Sequence, residues 1–389
     1  MRILQRYFAT SILQAVVFVL VVFLALLAFM DLSGELASVG KNGYGIQSAF
    51  LYVLILVPGH VYEVMPIAAL IGTIFTMAQF AATSEFTIMR AASMSTAMVA
   101  GMLFRIGILL VAVTFIFGEL ITPRTAPLAE QIKLTARGTT VSQEFRSGLW
   151  TKDIVKSEGL RGKPTGARFF NVKAVRPDGQ LIGVRLYEFD TEFRMRSLLQ
   201  APRATYQGNN HWRLEEVTET LFSNPALLVP GAQANLLNNY RQETSVVVTR
   251  KVDSLDLVSE ITPTILSVSS SDPERMSAKE LQVYTRHLAE NRQENGRFKI
   301  AFWKKIIDPL AIFVLMAMAL PFGYLHTRSG GISLKIFIGI MIGVSFILTN
   351  TLFSSLGMLS TWPPLLTAVL PSLLYFMMAL VALWWVERH

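Results

Sequence analysis

The amino-acid sequence predicts an α-helical membrane protein with six transmembrane helices and one inserted, all-β extracytoplasmic domain of β-jelly-roll-like character. Three observations predict it: an apolar composition, six apolar runs of bilayer length, and a switch to short alternating runs in mid-chain. Of 389 residues, 52% are hydrophobic and only 16% charged, and the mean hydropathy is +0.44. A soluble domain carries roughly 25% charged residues, so this chain needs lipid as part of its solvent. The formal charge of +8 raises nucleic acid as a partner. The Lys and Arg residues are spread along span boundaries and a β-rich middle, however, which points to anionic lipid and to no nucleic acid. There is no Cys, so the inserted domain must be held by its own core without disulfides.

A spanning helix needs roughly 20 largely apolar residues, and six segments meet that test: Ile12–Phe29, Val61–Ala82, Ala97–Ile121, Ala301–Leu325, Leu334–Leu356 and Leu365–Val386. The first follows Arg2 and Arg6 as a signal peptide would, but it is too long and lacks a small-residue cleavage site, so it reads as a retained anchor. Gln47 to Val57 is also apolar. Pro58 and Gly59 interrupt it, and a short interfacial helix is expected there instead of a seventh span. Arg2, Arg6, Arg90, Arg328, Lys335 and Arg388 fall on one side of this arrangement, and Lys41 is the only basic residue in the short loops of the other. The positive-inside bias then makes both termini cytoplasmic.

Residues 1–122 accordingly hold spans one to three, 123–300 the extracytoplasmic region, and 301–389 spans four to six. In the middle region Arg168–Val175, Leu181–Phe189, Met195–Ala201, Trp212–Leu221 and Thr244–Val248 alternate with period two. Pro177-Asp178-Gly179 and Gly208-Asn209-Asn210 supply turns. The pattern predicts antiparallel strands over about 140–265, as a β-sandwich or jelly roll. Ser269 to Pro273 reads as a linker, and Ser277 to Glu294 as a surface helix with Leu281, Tyr284 and Leu288 on one side.

The chemistry is sparse. There is no G-x-x-x-x-G-K-[ST] phosphate loop, so the chain does not hydrolyse ATP in the P-loop way. The five His residues are scattered without metal-ligand spacing, and no nucleophile–base arrangement stands out. Two features remain. In the loop between spans two and three, Thr83 or Ser84 can cap a short helix near 84–94, with Glu85 in its first turn and Phe86, Met89 and Arg90 on one face. That helix would present apolar groups and a carboxylate to a partner; the competing reading is an interfacial turn. The second feature is cationic. Lys133 and Arg137 lie just beyond span three, and Arg297, Lys299, Lys304 and Lys305 precede or enter span four, a suitable receptor for phosphate or carboxylate groups. Snorkelling cations are the competing reading here. Asp31, Glu35, Glu63 and Glu119 sit near span ends, where charge costs little. Gly339 and Gly343 form a G-x-x-x-G that allows close helix approach.

Val57-Pro58 through Met65-Pro66-Ile67-Ala68-Ala69-Leu70, Ser84-Glu85-Phe86 through Met89-Arg90-Ala91, Gly148-Leu149-Trp150-Thr151-Lys152-Asp153, and Gly296-Arg297-Phe298 with Trp303-Lys304-Lys305-Ile306 resemble the lipopolysaccharide export permeases. The G-L-W-x-K-D run is similar to the G-type members. The resemblance runs over essentially the whole chain. It implies an inner-membrane, multi-pass permease subunit of an ABC transporter, with a periplasmic β domain and no cofactor of its own. The implied partners are an F-type paralogue (LptF), a dimeric ATP-binding subunit (LptB) on which ATP acts, an LptC-type anchored protein and an LptA-type bridge. It also implies ATPase coupling through Glu85, Phe86, Met89 and Arg90, and lipopolysaccharide contact through Lys41, Lys133, Arg137, Arg297 and Lys304. One departure stands out: the family often carries several lysines in the first span and its loop, whereas here Lys41 is alone, with Asp31 and Glu35 close by.

Three rival readings exist. A lipoprotein-releasing permease has about four spans with its domain after the first, against six here with the domain in the middle. A membrane-anchored scaffold or receptor would hardly need six spans or the loop helix. A lipid-modifying enzyme lacks any clustered acid, base, nucleophile or metal-ligand set.

Overall fold

The computed structural model describes residues 2–388 apart from 42, 92–94, 137–147, 160, 177–178, 224–245, 264, 267–271, 292, 325–330 and 361. It divides into two compact units. One comprises Met1–Ala136, Asp272–Arg286 and Glu294–His389, the other Arg137–Ser271 and His287–Gln293.

The first unit is helical. Its elements are α1 (Arg2–Leu36), α2 (Ile46–Ala82), α3 (Glu85–Ala91), α4 (Thr96–Ile116) running through a π-helical turn at Phe117–Ile121 into α5 (Thr122–Ala136), then α6 (Ala278–Glu290, its residues 278–286 belonging to this unit), α7 (Gly296–Ala319), the short α8 (Pro321–Tyr324), α9 (Ile332–Leu359) and α10 (Pro364–Arg388). Among the described residues six helical stretches are long and apolar enough to cross a membrane: Ile3–Leu36, Ile46–Ala82, Thr96–Lys133, Gly296–Tyr324, Ile332–Leu359 and Pro364–Val386. This is the number expected from the sequence.

The centre of the bundle is α2, in which every residue from Val64 to Ile74 is buried, as befits a helix that is apolar on all sides. Its neighbours reach it where glycine removes a side chain. A Cβ on Gly72 would lie 2.6 Å from the backbone nitrogen of Val16 in α1. Cβ atoms on Gly339 and Gly343 of α9 would lie 2.8 Å from Ile74 and 2.9 Å from Ile67. The G-x-x-x-G motif thus seats α9 on α2 of the same chain.

One expectation is corrected. The interfacial helix over Gln47–Val57 is the first part of α2, which continues without a break through Pro58 and Pro66. Tyr52, Val53 and Leu56 are buried with Ala129 and packed by Ala28 and Leu32, and such packing carries a membrane helix across a proline.

The second unit is a six-stranded antiparallel sheet in sequential order: β1 (Leu149–Glu158), β2 (Arg161–Val175), β3 (Leu181–Asp190), β4 (Met195–Gly208), β5 (His211–Ser223) and β6 (Val246–Val258). The all-β insert is as expected, but its described strands form one meander where a two-sheet sandwich was anticipated. Tight hairpins account for the sequential order. Asn209 and Asn210, at φ of 47° and 65°, turn β4 into β5, and Asp190 Oδ1 accepts the backbone N–H groups of Glu192 and Arg194 at 2.9 Å each between β3 and β4. Trp212, Phe170, Leu186 and Val217 lead the core, and the Trp212 indole donates to the Ile261 carbonyl at 2.7 Å.

Strand β1 had no counterpart in the alternation pattern, because its buried face carries Leu149, Thr151 and Asp153. Asp153 accepts from Ser259 Oγ at 2.6 Å and lies 3.8 Å from Arg168, which donates to Glu188 at 2.6 Å. Burial pushes the Asp153 carboxyl above its usual range, opposed by the Ser259 hydrogen bond and the Arg168 charge. Of the expected strand Thr244–Val248, residues 244 and 245 lie outside the described residues, as do 269–271 of the expected linker.

Candidate functional site

Two places in the helical unit gather the residues singled out in the sequence. The first is α3. Ser84, at φ 61°, reverses the chain after α2, and Glu85 opens the new helix where a carboxylate is favoured. Its two oxygens accept from Thr83 Oγ1 at 3.0 Å and Tyr7 Oη at 3.1 Å.

The expected direction of Phe86 and Met89 is corrected. They do not project toward a partner but are buried in the helical core, 2% and 6% exposed. The Phe86 ring meets Tyr324 edge-on at 5.1 Å, and Tyr324 donates to Thr96 at 2.8 Å. These residues fasten α3 to the bundle. The side that faces outward carries Thr87 and Ile88, the latter 66% exposed. Arg90 lies in α3, its side chain outside the described residues, as are residues 92–94 of the expected helix.

The second place is the end of the bundle where the chain leaves for, and returns from, the β insert. Lys41 is exposed in a bend. Lys133 donates to Glu35 at 2.7 Å and lies over the Tyr52 ring at 4.7 Å. Arg297 stands 3.7 Å from Asp272, and Lys304 3.5 Å from Glu274. Arg137 falls outside the described residues. Three of the five expected cations therefore hold carboxylates of the same chain.

What does converge is a set the sequence only partly revealed. A cavity of about 330 Å³ opens between α1, α2, α7, α9 and the segment at Glu274, with Tyr62, Glu63, Lys304, Lys305, Asp308 and Asn350 on its polar side and Ile67, Phe346 and Ile347 on its apolar side. Lys305 is 3% exposed. Its ammonium donates to the Glu274 carbonyl at 3.0 Å and lies 4.5 Å from the Tyr62 ring centre. Nearby, His60 bridges Asp31 at 2.7 Å and Glu63 at 3.3 Å. Asp308 and Asn350 were not singled out, although a carboxylate inside an apolar run is itself a signal. The described residues contain no group suited to hold a metal ion.

Comparison with known proteins agrees with this architecture. Residues 6–385 match the family described as Lipopolysaccharide export system permease LptF/LptG. The chain is 28% identical over 387 residues to the lipopolysaccharide export system permease protein LptG of Escherichia coli K12, covering 99% of this chain and 98% of that protein. It is 27% identical over 383 residues to the LptG protein of Haemophilus influenzae, covering 98% and 97%. With a single family spanning nearly all of both membrane-helical segments and the insert between them, the chain belongs to the LptF/LptG family of lipopolysaccharide export permeases.

Proposed function

We propose that this chain is the G-type inner-membrane permease subunit of an ABC transporter that extracts lipopolysaccharide from the inner membrane and passes it to a periplasmic bridge toward the outer membrane. The observation that carries this reading is the near end-to-end match to LptG relatives, joined to six spans with an inserted sheet. The chain itself supplies the path and no chemistry. ATP acts on a separate dimeric ATP-binding subunit docked on the cytoplasmic side, an F-type paralogue completes the membrane cavity, and LptC-type and LptA-type proteins continue the route. Both termini are cytoplasmic and the sheet is periplasmic in this reading.

The loop helix α3 is the coupling element. Glu85 and Arg90 are its charged groups, and Phe86 and Met89 act from the inside, transmitting movement of α3 to the core in which they are buried. Lys41, Lys133, Arg137, Arg297 and Lys304 supply cationic contacts for phosphate groups, each modest alone.

The test is to co-express the chain with an F-type permease and an ATP-binding subunit, purify through a tag on this chain, and assay bound lipopolysaccharide and ATP hydrolysis. A stoichiometric complex carrying lipopolysaccharide is expected; a chain that purifies alone without lipid or ATPase activity returns the scaffold reading. Glu85→Ala should lower ATPase coupling without lowering the yield of folded chain, since Glu85 bonds only at the rim of the bundle. Wild-type turnover in that variant removes Glu85 from the coupling role.

A further inference from the structure

The cavity at Asp308 contains more hydrogen-bonding capacity than the chain itself fills. Asp308 lies in a membrane-crossing helix, ~18 Å along α7 at ~1.5 Å per residue, in a place where a carboxylate without a partner is costly. Among the described residues, no cation comes within 4 Å of it in an ion pair. Its side-chain hydrogen bond is from Asn350 at 3.5 Å, the outer limit of such a contact. One turn earlier on the same face stands Lys304. The partner of Lys304 is Glu274 at 3.5 Å, whose side chain is 63% exposed at the cavity rim, so that pair is weak and exchangeable. Lys305, by contrast, is committed to the Glu274 carbonyl and the Tyr62 ring. The opposite wall is apolar, with Ile67, Phe346 and Ile347.

A ligand that satisfies this set needs a cationic N–H donor for Asp308, an anion for Lys304 one helical turn away, and hydrocarbon for the opposite wall. A metal ion does not fit, because the described residues hold no set of ligands for one. We propose that the cavity is a headgroup subsite for an amine-bearing phospholipid-type amphiphile, with a primary ammonium on Asp308, its phosphate on Lys304, and its chain against Ile347 and Phe346. Two sources share this chemistry: an ethanolamine lipid of the bilayer, and an exported lipopolysaccharide whose phosphates carry an amine. Only the second rests on the export function proposed above.

The experiment uses the assembled transporter in nanodiscs, with a photo-crosslinking amino acid at Thr351 on the cavity wall and mass spectrometry of the attached lipid. In discs of phosphatidylethanolamine and phosphatidylglycerol, the captured ratio of ethanolamine to glycerol lipid should exceed the ratio in the bilayer about tenfold, the size of one charge-assisted hydrogen bond. Asp308→Asn should abolish the preference and Asp308→Glu retain it. Lys304→Gln should lower capture of the ethanolamine lipid.

A lipid variant gives the same information without any substitution. N-acylated phosphatidylethanolamine keeps the phosphate and lacks the ammonium, and it should lose the preference in the wild-type protein. In discs free of ethanolamine lipid, lipopolysaccharides with and without an amine on phosphate are then compared. Selective capture of the amine-bearing form assigns the exported substrate, and selective capture of the ethanolamine lipid alone assigns the bilayer. Capture in proportion to bilayer share in both arms overturns the subsite, as does a preference that survives Asp308→Asn or N-acylation. The bilayer arm reads the subsite even where the complex carries no lipopolysaccharide, so its failure and failure of the export reading are separate results.

Discussion

The two units of this chain are held together by opposite means. In the sheet, buried charges are bonded to one another: Asp153, Arg168, Glu188, Ser197 and Ser259 form one connected group with hydrogen bonds of 2.6 to 3.0 Å and an ion pair at 3.8 Å. In the helical bundle, apolar surfaces meet directly, helices touch through glycine, and Asp308 and Lys304 at the cavity each have a side-chain partner only at 3.5 Å. The two units accordingly tolerate change in different places. A sheet with few internal layers links its buried charges into one polar network, in which each member is bonded to another although Asp153 Oδ1 is left without a hydrogen bond. A bundle in lipid gains no hydrophobic drive from bringing helices together, so it relies on close packing.

The sheet is most sensitive at Arg168. Arg168→Met leaves Asp153 and Glu188 without their shared cation, and should destabilise the sheet by about 3 kcal/mol, read as faster hydrogen exchange of β1 to β3 amides in the intact protein. A loss below about 1 kcal/mol would show that the network contributes little. The corresponding change in the bundle is Gly72→Val, which drives a side chain into the backbone of Val16. It should cost about 2 kcal/mol, seen as a lower melting temperature of the purified protein, and hydrogen exchange in the sheet should stay as in the wild type.

A smaller effect concerns pH. Burial holds the His287 imidazole below its ordinary pKa, against the raising influence of Glu260 and Glu290. The unfolded chain therefore takes up this proton first. The stability tied to neutral His287 is full above pH ~6.5 and is lost as pH falls through the lower native value. His287→Gln should flatten that decline in a melting-temperature series across the acid range; an unchanged slope would assign it elsewhere. At the small end, Arg213 and Asp256 pair across β5 and β6 at 2.9 Å with both side chains at least half exposed. Arg213→Ala should leave the melting temperature unmoved, since an exposed pair is offset by side-chain entropy and screening. A measurable drop would mean that surface charges, too, belong to the network.

Much of this was legible in the sequence, and the failures have physical causes. The six spans follow from long apolar runs, and the turn at Asn209 and Asn210 from residues that accept positive φ. The continuity of α2 was hidden because Pro58 reads as a breaker, and only contacts with Ala28, Leu32 and Ala129, distant in sequence, reveal the packing around it. Strand β1 was hidden because its inward face is partly polar, and the partners that make Asp153 tolerable there, Arg168 and Ser259, come from other parts of the sheet. At the loop helix, spacing gave the shared face of Phe86 and Met89 but not its direction, which depends on Tyr324 far along the chain. The cavity was only half visible, since Lys304 stood out as a cation while Asn350 is an ordinary polar residue in a span until the fold brings it to Asp308.

The π-helical turn at Phe117–Ile121 has a consequence for how the insert is carried. The extra residue in that turn gives Glu119 its place, with Gly118 admitting the Tyr62 ring at what would be 2.5 Å from a Cβ. Both Glu119 oxygens accept the backbone N–H of Ala278, at 3.0 and 3.2 Å, at the start of α6, where Ser277 and Glu280 bond reciprocally. The departing and returning ends of the chain are thus tied at one point in the bundle. To the membrane helices, everything between is a closed loop, and the entropy of closing a loop grows only logarithmically with its length. The segment between the tied ends can therefore lengthen, shorten or be exchanged over evolutionary time at little thermodynamic penalty to the spans, which makes the sheet the part of the molecule freest to diversify.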